Sequence, residues 1–168
     1  MTRQKQIIIW TTYSFVALLL LLVQTSILNR IFIGNIHPIL LPFVVAMTAI
    51  YTPPKGSVIL GFFFGFACDM LFAGPIPCFY LLIFMLCAFL SGLLSRRFIA
   101  PGPLCSILMC ALSLFLTDLF ILFFLSFQCE MPLLSGIKLF LFELFYSIPF
   151  SLLLHVLYTG IKRFLDRL

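Results

Sequence analysis

Six apolar runs separated by short polar breaks occupy nearly all of this 168-residue chain, and a chain divided in that way has few folds open to it. The runs are Ile7–Leu28, about Ile36–Tyr51, Ser57–Phe72, Cys78–Ser95, a fifth that follows Pro101-Gly102-Pro103 and ends about Phe127, and about Ile137–Thr159. Strong breakers separate them: Thr52-Pro53-Pro54-Lys55-Gly56, Ala73-Gly74-Pro75-Ile76-Pro77 and Arg96-Arg97. Most runs reach the ~20 residues needed to cross hydrocarbon, and the second and third are short. With 64% hydrophobic residues, 9% charged residues and a mean hydropathy of +1.27, the chain has more apolar surface than a soluble fold of this length needs. The expected fold is all-α: one integral membrane domain over residues 1–168, a polytopic helical bundle of about six transmembrane helices.

Orientation follows from the basic residues, which stand at the ends of the runs. With the N-terminus inside, Arg3, Lys5, Lys55, Arg96, Arg97, Lys162, Arg163 and Arg167 are cytoplasmic, and only Arg30 and Lys138 are outside. Six spans with both termini cytoplasmic satisfy this bias, whereas five would strand Lys162, Arg163 and Arg167 outside. The +5 charge is therefore not a nucleic-acid footprint. The first run is read as a retained span rather than a secretory signal. Its apolar stretch exceeds the ~7–15 residues of a signal core, and Gln24-Thr25-Ser26-Ile27-Leu28-Asn29 carries no Ala-x-Ala pattern. The short loops leave no room for a nucleotide-binding fold.

The stretch Gly61-Phe62-Phe63-Phe64-Gly65-Phe66-Ala67-Cys68-Asp69 is apolar enough for lipid, yet carries an acid. Gly61, Gly65 and Asp69 share one helical face at four-residue steps. The glycines admit a neighbouring backbone, so this face meets another helix, and Asp69 has a partner or a task. Phe64 is expected to face lipid. Ala88-x-x-x-Gly92 in the fourth run reads as a second packing seam, as do Ser106, Cys110, Ser113 and Thr117 in the fifth.

Asp69, Asp118 and Glu143 all fall in the outer half of their runs. They form a polar outer pocket, or each is a separate packing device. The sixth run carries a longer stripe: Glu143, Ser147, Ser151, His155 and Thr159. Glu143, Ser147 and Ser151 share a face, and His155 drifts off it. Pro149 frees a carbonyl that serines can satisfy. Hydrogen bonding between helices is preferred here over a proton or solute path.

The six cysteines show no metal spacing. Cys68, Cys87, Cys105 and Cys110 read as small apolar residues, and only Cys78 and Cys129 fall near the external side, where a disulfide could form. His37 and His155 lie toward opposite sides. No nucleophile–base pair stands out, and neither a metal nor a cofactor is expected.

The chain resembles MreD, the small multi-pass subunit of the bacterial cell-elongation machinery, over nearly its whole length. The likeness begins at Leu22-Val23-Gln24-Thr25-Ser26 and Pro38. It is densest in the run from Gly56 to Gly74, with its glycine–phenylalanine, glycine, aspartate and glycine series. Arg96-Arg97 and the basic tail are also similar. Ile39 and Pro77 depart from the family pattern. The resemblance implies a non-catalytic scaffold in the bacterial plasma membrane. It implies partnership with an MreC-like membrane protein, with the MreB filament, and with RodA and its penicillin-binding protein. Nucleic acid is not an expected partner. The alternative is a resemblance to the S-component of an energy-coupling-factor vitamin transporter, a subunit of similar size with glycine-rich spans. The outer acids suit it, but Ala17 stands alone where that class has an Ala-x-x-x-Ala seam.

Overall fold

A computed structural model describes residues 3–26, 40–72, 76–97, 102–127 and 133–167. It contains six helices in chain order: α1 (Arg3–Ser26), α2 (Leu41–Tyr51), α3 (Pro54–Leu71), α4 (Phe79–Arg97), α5 (Pro103–Phe127) and α6 (Leu133–Arg167). No strand occurs among the described residues. Prolines sit in the first turn of α2 and α3 and open α5. A proline there loses no helical hydrogen bond, because the first N–H groups have no partner within the helix.

Four stretches are long and apolar enough to cross a membrane: Ile7–Ser26, Phe79–Arg97, Pro103–Phe127 and Gly136–Leu165. The second apolar run behaves differently. Its helix has only 11 residues, about 16 Å of rise, and residues 36–39 of the expected run lie outside the described residues. Every residue from Leu41 to Ala49 is buried. A helix that is apolar all round has no face for water, and here every face meets protein. α2 packs against each of the other five helices and forms the axis of the bundle.

α6 is longer than its apolar run, at 35 residues. That is about 52 Å, well beyond the ~30 Å of hydrocarbon. Pro149 lies inside it without ending it. Ser151 Oγ donates to the Ile148 carbonyl at 2.6 Å, beside the proline.

Tertiary contacts gather Lys55, Arg96 and Lys162 at one end. Arg96, at the end of α4, donates through Nη2 to the Thr52 carbonyl between α2 and α3. Lys162 of α6 stands over the Tyr51 ring, 5.9 Å from its centroid. Trp10 of α1 packs on Gly56 at the start of α3. These contacts bring the N-terminal parts of α1 and α3 and the C-terminal parts of α4 and α6 together. The opposite end holds Asp69 and the start of α4.

Phe64 is a correction to the lipid-facing expectation. It is 9% exposed and stacks on Phe84 of α4, with ring centroids 5.9 Å apart. Position 64 falls one residue short of Gly65 and three beyond Gly61, so it flanks the packed face. Phe63, at 63% exposed, points away from the bundle.

Candidate functional site

The most extensive helix–helix junction among the described residues is the antiparallel pair α3 and α4. Ser57, Gly61, Gly65 and Asp69 recur at four-residue steps on α3 and meet α4 in reverse order. A Cβ on Gly92 would lie 3.3 Å from Ser57 Oγ. One on Gly61 would lie 2.9 Å from both the Ala88 Cβ and the Phe84 carbonyl oxygen. One on Gly65 would lie 2.6 Å from the Leu81 Cα and the Tyr80 carbonyl oxygen. Gly61, Gly65, Ala88 and Gly92 thus belong to one seam, in which backbone meets backbone.

Asp69 closes that seam at the start of α4. The Tyr80 N–H donates to its Oδ1 at 2.9 Å, and the Leu81 N–H donates to its Oδ2 at 2.9 Å. The Phe79 N–H reaches the Ile76 carbonyl at 3.2 Å, and the Leu82 N–H reaches Cys78 at 3.3 Å. All four N–H groups that a helix start leaves without a partner are thereby satisfied. The residue just before the helix, Cys78, has φ 62° and no oxygen with which to cap. An acid from the neighbouring helix does the capping, its two oxygens standing at the positive end of the helix dipole. Gln24 plays a matching part at α2, where its Oε1 accepts the Leu40 N–H at 3.1 Å while the residue is 3% exposed.

The other two acids do not share this arrangement. Asp118 on α5 lies within electrostatic range of Glu143 on α6. The Tyr80 phenol, on α4, lies within range of Asp69, Asp118 and Glu143 together. Glu143 is 9% exposed, and Asp118 Oδ2 is buried without a hydrogen-bond partner among the described residues. Ser147, one turn along α6, is fully buried, and its hydroxyl has no partner there either. Asp118, Glu143 and the Tyr80 phenol thus make one polar spot within electrostatic range in an otherwise apolar bundle. An apolar cavity of about 180 Å³ opens nearby between α4 and α5, lined by Phe79, Leu82, Ile83 and Phe124 among others.

Ser151 does not extend this spot into a path, since its hydroxyl turns back to its own helix at Ile148. Further along α6, His155 joins three helices. Its Nδ1 is 2.7 Å from Ser106 Oγ of α5 and 3.3 Å from the Tyr51 hydroxyl of α2. Tyr51 also hydrogen-bonds Thr159 at 3.0 Å. Around this hub Tyr13, Tyr51 and Tyr158 stack, with Tyr13 and Tyr158 centroids 5.6 Å apart. The α6 stripe alone did not reveal the hub. A signal was present, however: these three tyrosines fall near the basic ends of their runs, where membrane helices concentrate such rings.

Among the described residues, no group of three or more His, Cys, Asp and Glu is placed to hold a metal ion. Cys78 is exposed and unpaired there. Cys129 and His37 lie outside the described residues, as do Arg30, Pro38, Ile39 and Gly74. No protein family, curated protein or solved structure matches this chain.

Proposed function

We propose that this chain is a non-catalytic scaffold subunit of the MreD kind, set in a bacterial plasma membrane. In this reading it crosses the membrane about six times with both termini cytoplasmic. It binds the transmembrane helix of an MreC-like partner and, through it, links the MreB filament to RodA and its penicillin-binding protein. The observation that carries the proposal is the use made of the Gly56–Gly74 stretch, where the resemblance is densest. Its described residues Gly61, Gly65 and Asp69 hold α4 against α3 and cap it. A sequence signature concerned with joining helices suits a protein whose work is assembly. The gathering of basic residues at one end supports the orientation.

A second reading, the substrate-binding S-component of a vitamin transporter, draws on the convergence of Tyr80, Asp118 and Glu143. One experiment separates the two. The purified chain is screened by thermal shift against water-soluble vitamins, beside a pull-down with an MreC-like partner. The scaffold reading expects capture of the partner and no vitamin-dependent shift. A saturable vitamin shift without partner capture overturns it.

A further inference from the structure

We infer that the corner between α2 and α3 is a binding site for the phosphate of an anionic membrane lipid. The corner is Tyr51-Thr52-Pro53-Pro54-Lys55, and tertiary structure sets cations on it from two other helices. Arg96 of α4 is held there by its bond to the Thr52 carbonyl. Lys162 of α6 is held over the adjacent Tyr51 ring, close to the ~6 Å limit of a cation–π contact. Tyr51 is itself fixed by His155 and Thr159. Lys55, in the first turn of α3, adds a third cation, and the side chains of Lys55, Arg96 and Lys162 are all exposed. Only one acid in the sequence, Asp166, belongs to the α6 end that carries Lys162 and Arg163. Positive charge at this corner therefore exceeds what the chain can neutralise locally.

The start of α3 adds to the attraction. Its first intrahelical bond runs from the Ser57 N–H to the Pro53 carbonyl, at 2.8 Å, and Pro53 supplies no capping side chain. The preceding N–H groups, of Lys55 and Gly56, lie at the positive end of the helix dipole.

The level of the corner selects a lipid as the source of the phosphate. The apolar length of α4 ends at Arg96 and Arg97, and Trp10 and Tyr51 lie beside the corner. Aromatic rings and basic side chains together mark the boundary between hydrocarbon and headgroups, where lipid phosphates lie. Basic pockets between membrane helices on this side bind anionic headgroups. The site is independent of the scaffold reading, since it needs only that the bundle sit in a membrane.

Trp10 is the one tryptophan of the chain and packs on Gly56, so its emission reports on the corner directly. The full-length chain in neutral detergent is titrated with dioleoyl phosphatidylglycerol, with dioleoyl phosphatidylcholine and with inorganic phosphate, and native mass spectrometry counts the bound lipid. Phosphatidylglycerol is expected to saturate the Trp10 response at the lowest concentration. Lys162→Gln, Lys55→Gln and Arg96→Gln should each weaken it about fivefold, whereas Lys138→Gln at the opposite end should not. Arg96→Gln also removes the bond to Thr52, so Lys162→Gln and Lys55→Gln, which break no backbone contact, decide the result should that variant misfold. Equal affinity for phosphatidylcholine overturns the site, as does wild-type affinity in both lysine variants. A matching response to inorganic phosphate overturns the lipid assignment.

Discussion

Asp69 shows how an acid within an apolar helix comes to be well placed there. Its carboxylate meets two backbone N–H groups that would otherwise lack acceptors, so the burial of each is offset by the other. Asp69→Asn keeps the shape but turns one acceptor into a donor facing an N–H. It should cost about 1–3 kcal/mol, read as a lower thermal midpoint in detergent. Gly65 is still less tolerant. A Cβ there would press on the backbone of Tyr80 and Leu81, which cannot rotate away as a side chain can. Gly65→Leu is expected to lower the midpoint by at least the upper part of the ~1–3 kcal/mol overpacking range. Phe63→Leu, on the exposed face of the same helix, should barely move it. Equal midpoints for these two variants would remove the seam from the account.

Among the helices, α6 is held to α2 and α5 by two different kinds of group. Tyr51, Ser106, His155 and Thr159 satisfy one another across the three helices. Tyr158, one turn from Leu154, stacks on Tyr13 and Tyr51, but its buried hydroxyl has no hydrogen-bond partner among the described residues. The two tyrosines should therefore respond oppositely to loss of the hydroxyl. Tyr51→Phe removes the 3.0 Å bond to Thr159 and the longer of the two contacts at His155 Nδ1, which keeps Ser106, and should lower the thermal midpoint by about 1 kcal/mol equivalent. Tyr158→Phe keeps the stacked ring and removes an unsatisfied polar atom, so its midpoint should stay level or rise. A fall in Tyr158→Phe as large as in Tyr51→Phe would show that its hydroxyl is satisfied in the folded bundle.

Taken whole, the molecule is polarised. The contacts of Arg96 with Thr52, Lys162 with Tyr51, and Trp10 with Gly56 put the basic termini of four helices at one end. Asp69, Asp118 and Glu143 lie toward the other. A membrane with its cytoplasmic side at the basic end places both termini inside. Single cysteines at positions 2 and 168, in a cysteine-free background, should then resist a membrane-impermeant thiol reagent in intact cells. Labelling of either position would refute that orientation.

Helix type and approximate positions were legible in the amino-acid order, because a long apolar run bounded by prolines, glycines and arginines satisfies its backbone within itself as a helix. The four-residue steps of Gly61, Gly65 and Asp69 also showed which face of α3 another helix would meet. The identity of that helix was not legible. Four-residue spacing describes one surface, and only the fold set Ala88 and Gly92 opposite it. The burial of α2 was hidden for a related reason: an all-apolar helix looks the same whether lipid or protein surrounds it, and its neighbours decide. The His155 hub and the cationic corner lay deeper still. Each joins residues tens of positions apart, such as Ser106 with His155 and Arg96 with Thr52. Contacts of that range exist only once the helices have packed, because it is packing that brings the partners within hydrogen-bonding distance.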